Sequence, residues 1–275
     1  MRYITVILAV LLVALSGNIG AYEFDIGRQC GMGGAILLSK PSATDRLACP
    51  AAVSSERQID FEAGYQRKFE LADLDRFFVT AGYRYNDFSV TFGFSQFGRS
   101  DYYTEQIARG ALSYTVRQFT ASVIADGKQV SVGEAEDNVT LRAGAVGFAA
   151  GVDYESYHLS VIIDNINRPK LEKCLVAENT VYHIYGEIEG RSRFSIVGHI
   201  AFEEHEKPLA ALGQYVRFID EHALFWGISS NPLTYGGGLE IKYHNYGLMY
   251  AVSYHPTLGF THNVSLNLAS GGIFR

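Results

Sequence analysis

Beyond the first fifteen residues the chain has no apolar run long enough to cross a bilayer as a helix, which takes about 18 or more residues. Any part of it that lies in lipid must therefore be made of strands closed into a barrel. Proline is scarce, 6 in 275 residues, while 28 Gly, 18 Tyr and 17 Phe make a strand-rich composition. The 3 cysteines include no C-x-x-C pair, which removes zinc-finger and thioredoxin-type chemistry. A formal charge of −6 with no basic stripe leaves nucleic acid without an electrostatic footprint. Gly93-Phe94-Ser95-Gln96-Phe97-Gly98 places a serine between glycines, but not at G-x-S-x-G spacing and without a following helix. A hydrolase would need a Ser–His pair that only convergence in three dimensions supplies. Glu203-Glu204-His205-Glu206 reads as a solvated charge run in a loop rather than a cation site. No catalytic residue, metal or cofactor is expected.

What is present is clearest at the C-terminal end. From Tyr235 the odd positions are Tyr235, Gly237, Leu239, Ile241 and Tyr243, against Gly236, Gly238, Glu240 and Lys242. After His244-Asn245 the pattern restarts with Tyr246, Leu248, Tyr250, Val252 and Tyr254 on one face. It returns once more as Val264, Leu266 and Leu268 opposite Asn263, Ser265 and Asn267. Period two over about ten residues means strands joined as antiparallel hairpins. The apolar faces pack against each other in a soluble sandwich and meet lipid in an outer-membrane barrel, so periodicity alone leaves both open.

The N-terminus sets the compartment. Arg2, the apolar run Ile4 to Leu15 and the small-residue stretch Ser16 to Ala21 read as a cleaved signal peptide over 1–21 rather than a retained anchor. Its removal takes Arg2 and leaves 22 basic against 29 acidic residues, a charge of −7. No cysteine follows the run closely, which argues against a lipoprotein. Cys30, Cys49 and Cys174 are an odd number for an exported chain; Cys30 and Cys49 either bridge or stay free. Residues 22–57 are glycine-rich and not strand-like, with Gly31-Met32-Gly33-Gly34-Ala35 and Cys49-Pro50-Ala51. That segment is either a flexible leader or a hatch folded inside a barrel.

Over 58–270 the pattern resolves into about fourteen runs, near 60–70, 77–86, 88–98, 104–116, 118–130, 138–150, 155–166, 180–190, 193–204, 208–218, 222–229, 233–243, 246–254 and 260–269. Tight connections at Asn86-Asp87, Arg117, Gly190-Arg191-Ser192, Asp220-Glu221 and His244-Asn245 alternate with longer polar ones. Short turns on one rim and longer loops on the other are an outer-membrane-barrel asymmetry that a sandwich does not require. Aromatics gather beside the short turns: Tyr83, Tyr85 and Phe88; Tyr114 and Phe119; Phe218, Phe225 and Trp226; Tyr243 and Tyr246. Charges of both signs, Arg84, Arg109, Asp126, Arg142, Glu187, Glu240 and Lys242, fall on the expected lumen faces. The fold class is an all-β antiparallel transmembrane barrel of about fourteen strands.

The G-M-G-G-A segment at 31–35 followed by Cys49-Pro50-Ala51 resembles the start of the FadL-like outer-membrane families, which include long-chain fatty-acid transporters and the PorV/PorQ proteins of type IX secretion. Cys49 stands where those families have Asn. Ile162 to Ile166 with Arg168-Pro169 resembles their mid-barrel strand, and Tyr250 to Leu266 the last hairpin of the PorV-like branch. The resemblance implies an N-terminal hatch in the lumen carrying Gly31, Met32, Gly33, Gly34, Ala35, Cys49, Pro50 and Ala51, and residence in the bacterial outer membrane. It also implies passive transport of hydrophobic, fatty-acid-like molecules, with Arg84, Arg109 and Arg142 as candidates for a carboxylate and Glu187 and Glu240 as lumen partners. An alternative within the resemblance is an adaptor for secretion-system proteins. An integral barrel should migrate faster on a gel unheated than boiled; recovery as a soluble monomer without detergent would contradict it.

Overall fold

The computed structural model describes residues 26–52, 59–99, 103–133, 139–171, 177–190, 193–219 and 222–270. Residues 1–21, expected to be a signal peptide, Cys174 and the expected tight connection at Asp220-Glu221 lie outside these residues. Fourteen strands form one closed antiparallel barrel. They are β1 (Ile59–Arg67), β2 (Asp75–Tyr85), β3 (Phe88–Arg99), β4 (Tyr103–Val116), β5 (Phe119–Val132), β6 (Val139–Tyr154) and β7 (Tyr157–Asp164), followed by β8 (Val181–Gly190), β9 (Phe194–Glu203), β10 (Leu209–Ile219), β11 (His222–Ser229), β12 (Thr234–Tyr243), β13 (Tyr246–His255) and β14 (Gly259–Ser270). Each strand pairs with its sequence neighbours, and β1 pairs with β14 from Ile59↔Ser270 to Arg67↔His262, so no edge is left open. Two short helices precede the barrel, α1 (Arg28–Gly31) and α2 (Ala43–Ala48).

On one rim the connections are two-residue turns, at 86–87, 117–118, 155–156 and 244–245. Their first residues, Asn86, Arg117, Glu155 and His244, have φ of 53°, 55°, 49° and 56°. This left-handed start belongs to the turns that match strand twist. The opposite rim carries the longer connections, including residues 68–74 with two 3-10 turns and 165–180. Two boundaries differ from the sequence pattern. β1 stops at Arg67, because Phe69 and Glu70 take positive φ. β6 runs on to Tyr154 and turns at Glu155-Ser156, where the pattern placed a new strand from 155. The Gly-Ala-rich stretch from Ala143 to Gly151 carries too little contrast between faces to reveal that continuation.

The faces follow from the alternation. Val90, Phe92, Leu112, Val123, Phe148, Leu159, Ile184, Leu224, Ile241, Leu248, Val264 and Leu266 are exposed on the outer wall, and polar residues between them are buried inside. Phe88 pairs with Tyr114, and Tyr243 with Tyr246, beside the tight turns. Tyr154 and Tyr157, absent from the sequence-derived girdle, join them at the β6–β7 turn. Phe225 leaves it: its ring is 1% exposed and faces inward, on the odd-numbered face of β11. Arg142 also changes sides. It shares the outer face of β6 with Val146 and Phe148, near the long-loop rim, and its Nε donates to Gln129 Oε1 at 3.0 Å.

Leu112, four residues from the β4 turn and close to mid-height, should lose about 2–4 kcal/mol when replaced by Arg, and Leu248, two residues from its turn, about 0–1 kcal/mol. Unfolding in urea from lipid vesicles measures both. Equal losses would mean the membrane band sits elsewhere on the wall.

Candidate functional site

Residues 26–52 are almost wholly buried, and they touch inward-facing positions on strands all around the barrel. Local sequence shapes the segment. Ser42 Oγ accepts from Asp45 N while the Asp45 carboxylate accepts from Ser42 N, a capping box that starts α2. Gly33 and Gly34 take φ of 66° and 86°, which reverses the chain after α1. The wall accommodates it with glycines of its own. Gly227 lies under the Met32 backbone and Gly93 under the Leu47 side chain, where a Cβ would collide. Apolar side chains complete the fit: Met32, Ala35 and Leu37 pack with Tyr215, Phe225 and Met249, and Ile36, Leu38 and Ala51 with Ile124 and Ile162.

Polar contacts fix the segment at four places. Arg28 lies between Asp45, 3.5 Å away, and Glu240, 3.4 Å away, with its guanidinium 5.0 Å from the centre of the Tyr215 ring. Glu240 is further held by Lys242 at 2.9 Å and by the Tyr215 hydroxyl, which donates at 3.1 Å. Glu187 accepts from Leu38 N at 2.5 Å, Ser39 N at 2.8 Å and Ser39 Oγ at 2.6 Å, and Lys40 pairs with Glu189 beside it. Arg46 pairs with Asp60, and Glu62 accepts from Thr44 N at 3.3 Å and Ser265 Oγ at 2.8 Å. Ser113 Oγ donates to Pro50 O at 2.9 Å, and Cys49 Sγ to Ser160 Oγ at 3.1 Å. Burial pushes the Asp45 carboxyl up against the pull of Arg28, and pushes the Cys49 thiol up to about 12. Cys49 is therefore a neutral thiol at neutral pH, without nucleophilic character. Cys30 and Cys49 are not bridged to each other, Cys30 Sγ lying 3.5 Å from Ser253 Oγ instead.

Toward the long-loop rim a second network lines the inner wall. Arg109 forks onto Asp126 at 2.7 and 2.8 Å and reaches Asp164 at 3.5 Å. Asp164 approaches His183 at 3.7 Å, His183 Nδ1 lies 3.2 Å from His199 Nε2, and Tyr185 stacks on His199 at 4.1 Å. Lys128 meets Glu178 at 3.1 Å and Glu105 at 3.8 Å.

The three arginines proposed for a carboxylate thus stand far apart in role. Arg109 is neutralised by two aspartates, Arg84 donates to Asn86 O at the tight-turn rim at 3.1 Å, and Arg142 is outside. Glu187 and Glu240 bind the N-terminal segment itself. Arg28, Asp45, Arg46, Asp60, Glu62, Asp164, His183 and His199 escaped the sequence reading, although two signals were there. Ser42-x-x-Asp45 is a capping-box spacing, and Asp60 and Glu62 alternate with Phe61 in β1. Among the described residues no group of three or more His, Cys, Asp or Glu side chains could hold a metal ion.

A closed antiparallel barrel with an apolar outer wall and ion-paired interior is a barrel of the outer-membrane type. No protein-family profile and no curated protein sequence matches the chain. Among solved structures it is similar to a deltaS2 mutant of the TodX monoaromatic hydrocarbon channel, with a TM-score of 0.66, 10% identity, and coverage of 92% of this chain and 99% of that one. Two engineered forms of a Rh. blastica porin align with TM-scores of 0.43 and 0.44, at 11% and 10% identity, over 77% of this chain and 98% of theirs.

Replacing Glu240 by Gln leaves buried Arg28 with one carboxylate, Asp45, beside the Lys40 carbonyl, and should cost about 3–5 kcal/mol, the penalty for breaking one side of a buried pair. The loss should appear as faster proteolysis of residues 26–52 in the folded, heat-modifiable barrel. Unchanged proteolysis would mean that packing alone holds the segment.

Proposed function

We propose that the protein is a passive outer-membrane channel for small hydrophobic molecules, in which residues 26–52 form a hatch that governs passage. The observation that supports this most is how the segment is held. It is fixed to the wall by reversible ion pairs and hydrogen bonds from Arg28, Leu38, Ser39 and Arg46. Such contacts can be exchanged for alternative ones as the segment shifts. An open porin needs no such occupant, and a purely structural core would not require a carboxylate receiving three donors from one loop.

The ligand class follows from charge. Arg109 is already paired with two carboxylates, Arg84 is engaged at a turn and Arg142 faces outward, which favours an uncharged apolar ligand over a fatty acid at these positions. The similar TodX structure is that of a monoaromatic hydrocarbon channel, which agrees with that class. The hatch residues from the sequence reading take definite parts in this proposal. Gly31 to Ala35 make the turn against β10–β12, and Cys49 to Ala51 seat the far end near Ser113, Ser160 and Gly151.

Glu187→Gln keeps the side-chain size but weakens three charge-assisted bonds, and should raise the population of the shifted hatch by about tenfold, equivalent to about 1.4 kcal/mol. Entry of a monoaromatic hydrocarbon into liposomes carrying the protein should rise accordingly, and deletion of residues 29–54 should raise it further. Permeation equal to protein-free liposomes in the parent, the variant and the deletion would overturn the proposal.

A further inference from the structure

The outer wall is not uniformly covered. One row of lipid-facing positions crosses five strands as Val152, Leu159, Gly186, Gly198 and Leu212, each directly opposite the next. At its centre two glycines face each other, and a Cβ built on either would meet nothing within 4 Å. The row on the tight-turn side carries Tyr157, Ile188 and Ile196, and the row on the other side Val161, Ile184 and Ile200. Between the glycines and the tight-turn row lies a groove, a hollow of about 420 Å³, lined by Val152, Leu159, Ile188 and Ile196, by the chain at His158 and Glu187, and by Tyr154 and Tyr157 at the β6–β7 turn. It is two strands across, about 10 Å at the usual strand spacing.

We infer that this groove holds the acyl chain of a phospholipid from the leaflet on the tight-turn side. The groove is continuous with the wall that faces lipid, so lipid already surrounds it on every side. Water cannot fill it at membrane depth, and an empty groove would deprive its lining of contacts. Its volume is that of on the order of 14 groups of water or methylene size, at roughly 30 Å³ each, which is a large part of one chain. The Tyr154 and Tyr157 rings at the turn end are amphipathic, suited to the level where the acyl chain meets its headgroup. A second copy of the barrel fits less well. Two convex walls meet along ridges, and the raised residues Tyr157, Ile188 and Leu212 would hold a second wall away from the glycine floor.

Native mass spectrometry of the full-length protein, titrated in detergent with palmitoyl-oleoyl-phosphatidylethanolamine, tests the inference. Gly198→Leu and Gly186→Leu fill the groove without collision. Gly110→Leu is the control, since Gly110 also faces outward with open space but lies on β4, away from the groove. The parent and Gly110→Leu should retain one tightly held phospholipid. Both groove variants should hold it about tenfold more weakly, as expected from losing contact with about two buried methylene groups. Equal retention by all four proteins would overturn the inference. So would a dimer of the parent that Gly198→Leu abolishes, because the groove's occupant would then be a second copy.

Discussion

Closure of β1 onto β14 is the constraint from which the other features follow. In a bilayer each backbone N–H and C=O must find its partner inside the protein, and a sheet satisfies this only when it has no edge. Joining the two ends through nine residue pairs, from Ile59↔Ser270 to Arg67↔His262, makes a ring with a strict inside and outside. Period-two alternation then sends Leu, Val, Phe and Tyr outward and Glu, Arg, Ser, Thr and Gly inward. The interior cannot remain a void, and residues 26–52 occupy it. The inward charges and the segment explain each other: Glu187, Glu240, Asp60 and Glu62 are tolerable at this depth because the segment brings Arg28, Arg46 and backbone donors to them.

The buried histidines, His183 and His199, lean on each other and on Asp164 rather than on a metal-binding trio. Two serines of the inner wall, Ser113 and Ser160, are taken up by Pro50 and Cys49. Several of the inner wall's polar groups, Glu187 and Glu240 among them, are thus taken up in holding the N-terminal segment, while Arg109, Asp126, Lys128 and Glu178 pair with one another toward the long-loop rim.

Much of the barrel was legible because its code is local. Fourteen runs, the faces of β12 to β14 and the tight turns at Asn86-Asp87, Arg117 and His244-Asn245 all rest on spacing within about ten residues. The errors fall where local contrast fails. In β6, Ala143 to Gly151 is mostly Gly and Ala, with Val146 and Phe148 its only large side chains, so neither its length nor the side taken by Arg142 could be read. Phe225 reads as a girdle aromatic because ring and depth look right, but it points inward to fill the space above Gly31. The grips on the N-terminal segment were illegible for a different reason. Arg28 with Glu240 and Leu38 with Glu187 join residues far apart in sequence, and no single stretch announces which carboxylate a buried arginine will meet.

The contact from Ser265 to Glu62 spans 203 residues of chain. The same seam that removes the sheet's edges joins its first strand to its last, so β1 has only one neighbour until β14 has been made. Bringing the ends together carries the loop-closure cost of nearly the whole protein, and long-range strand pairing is slow for that reason. Glu62 gathers three parties at the seam: Thr44 from the N-terminal segment, its own strand, and Ser265 from the final one. From inside the lumen, Thr44 N and the Arg46 guanidinium reach β1 at this same seam, so the strand that closes the ring is held by the N-terminal segment as well as by its two neighbours. The occupant of the lumen thereby shares in the closure of the wall around it.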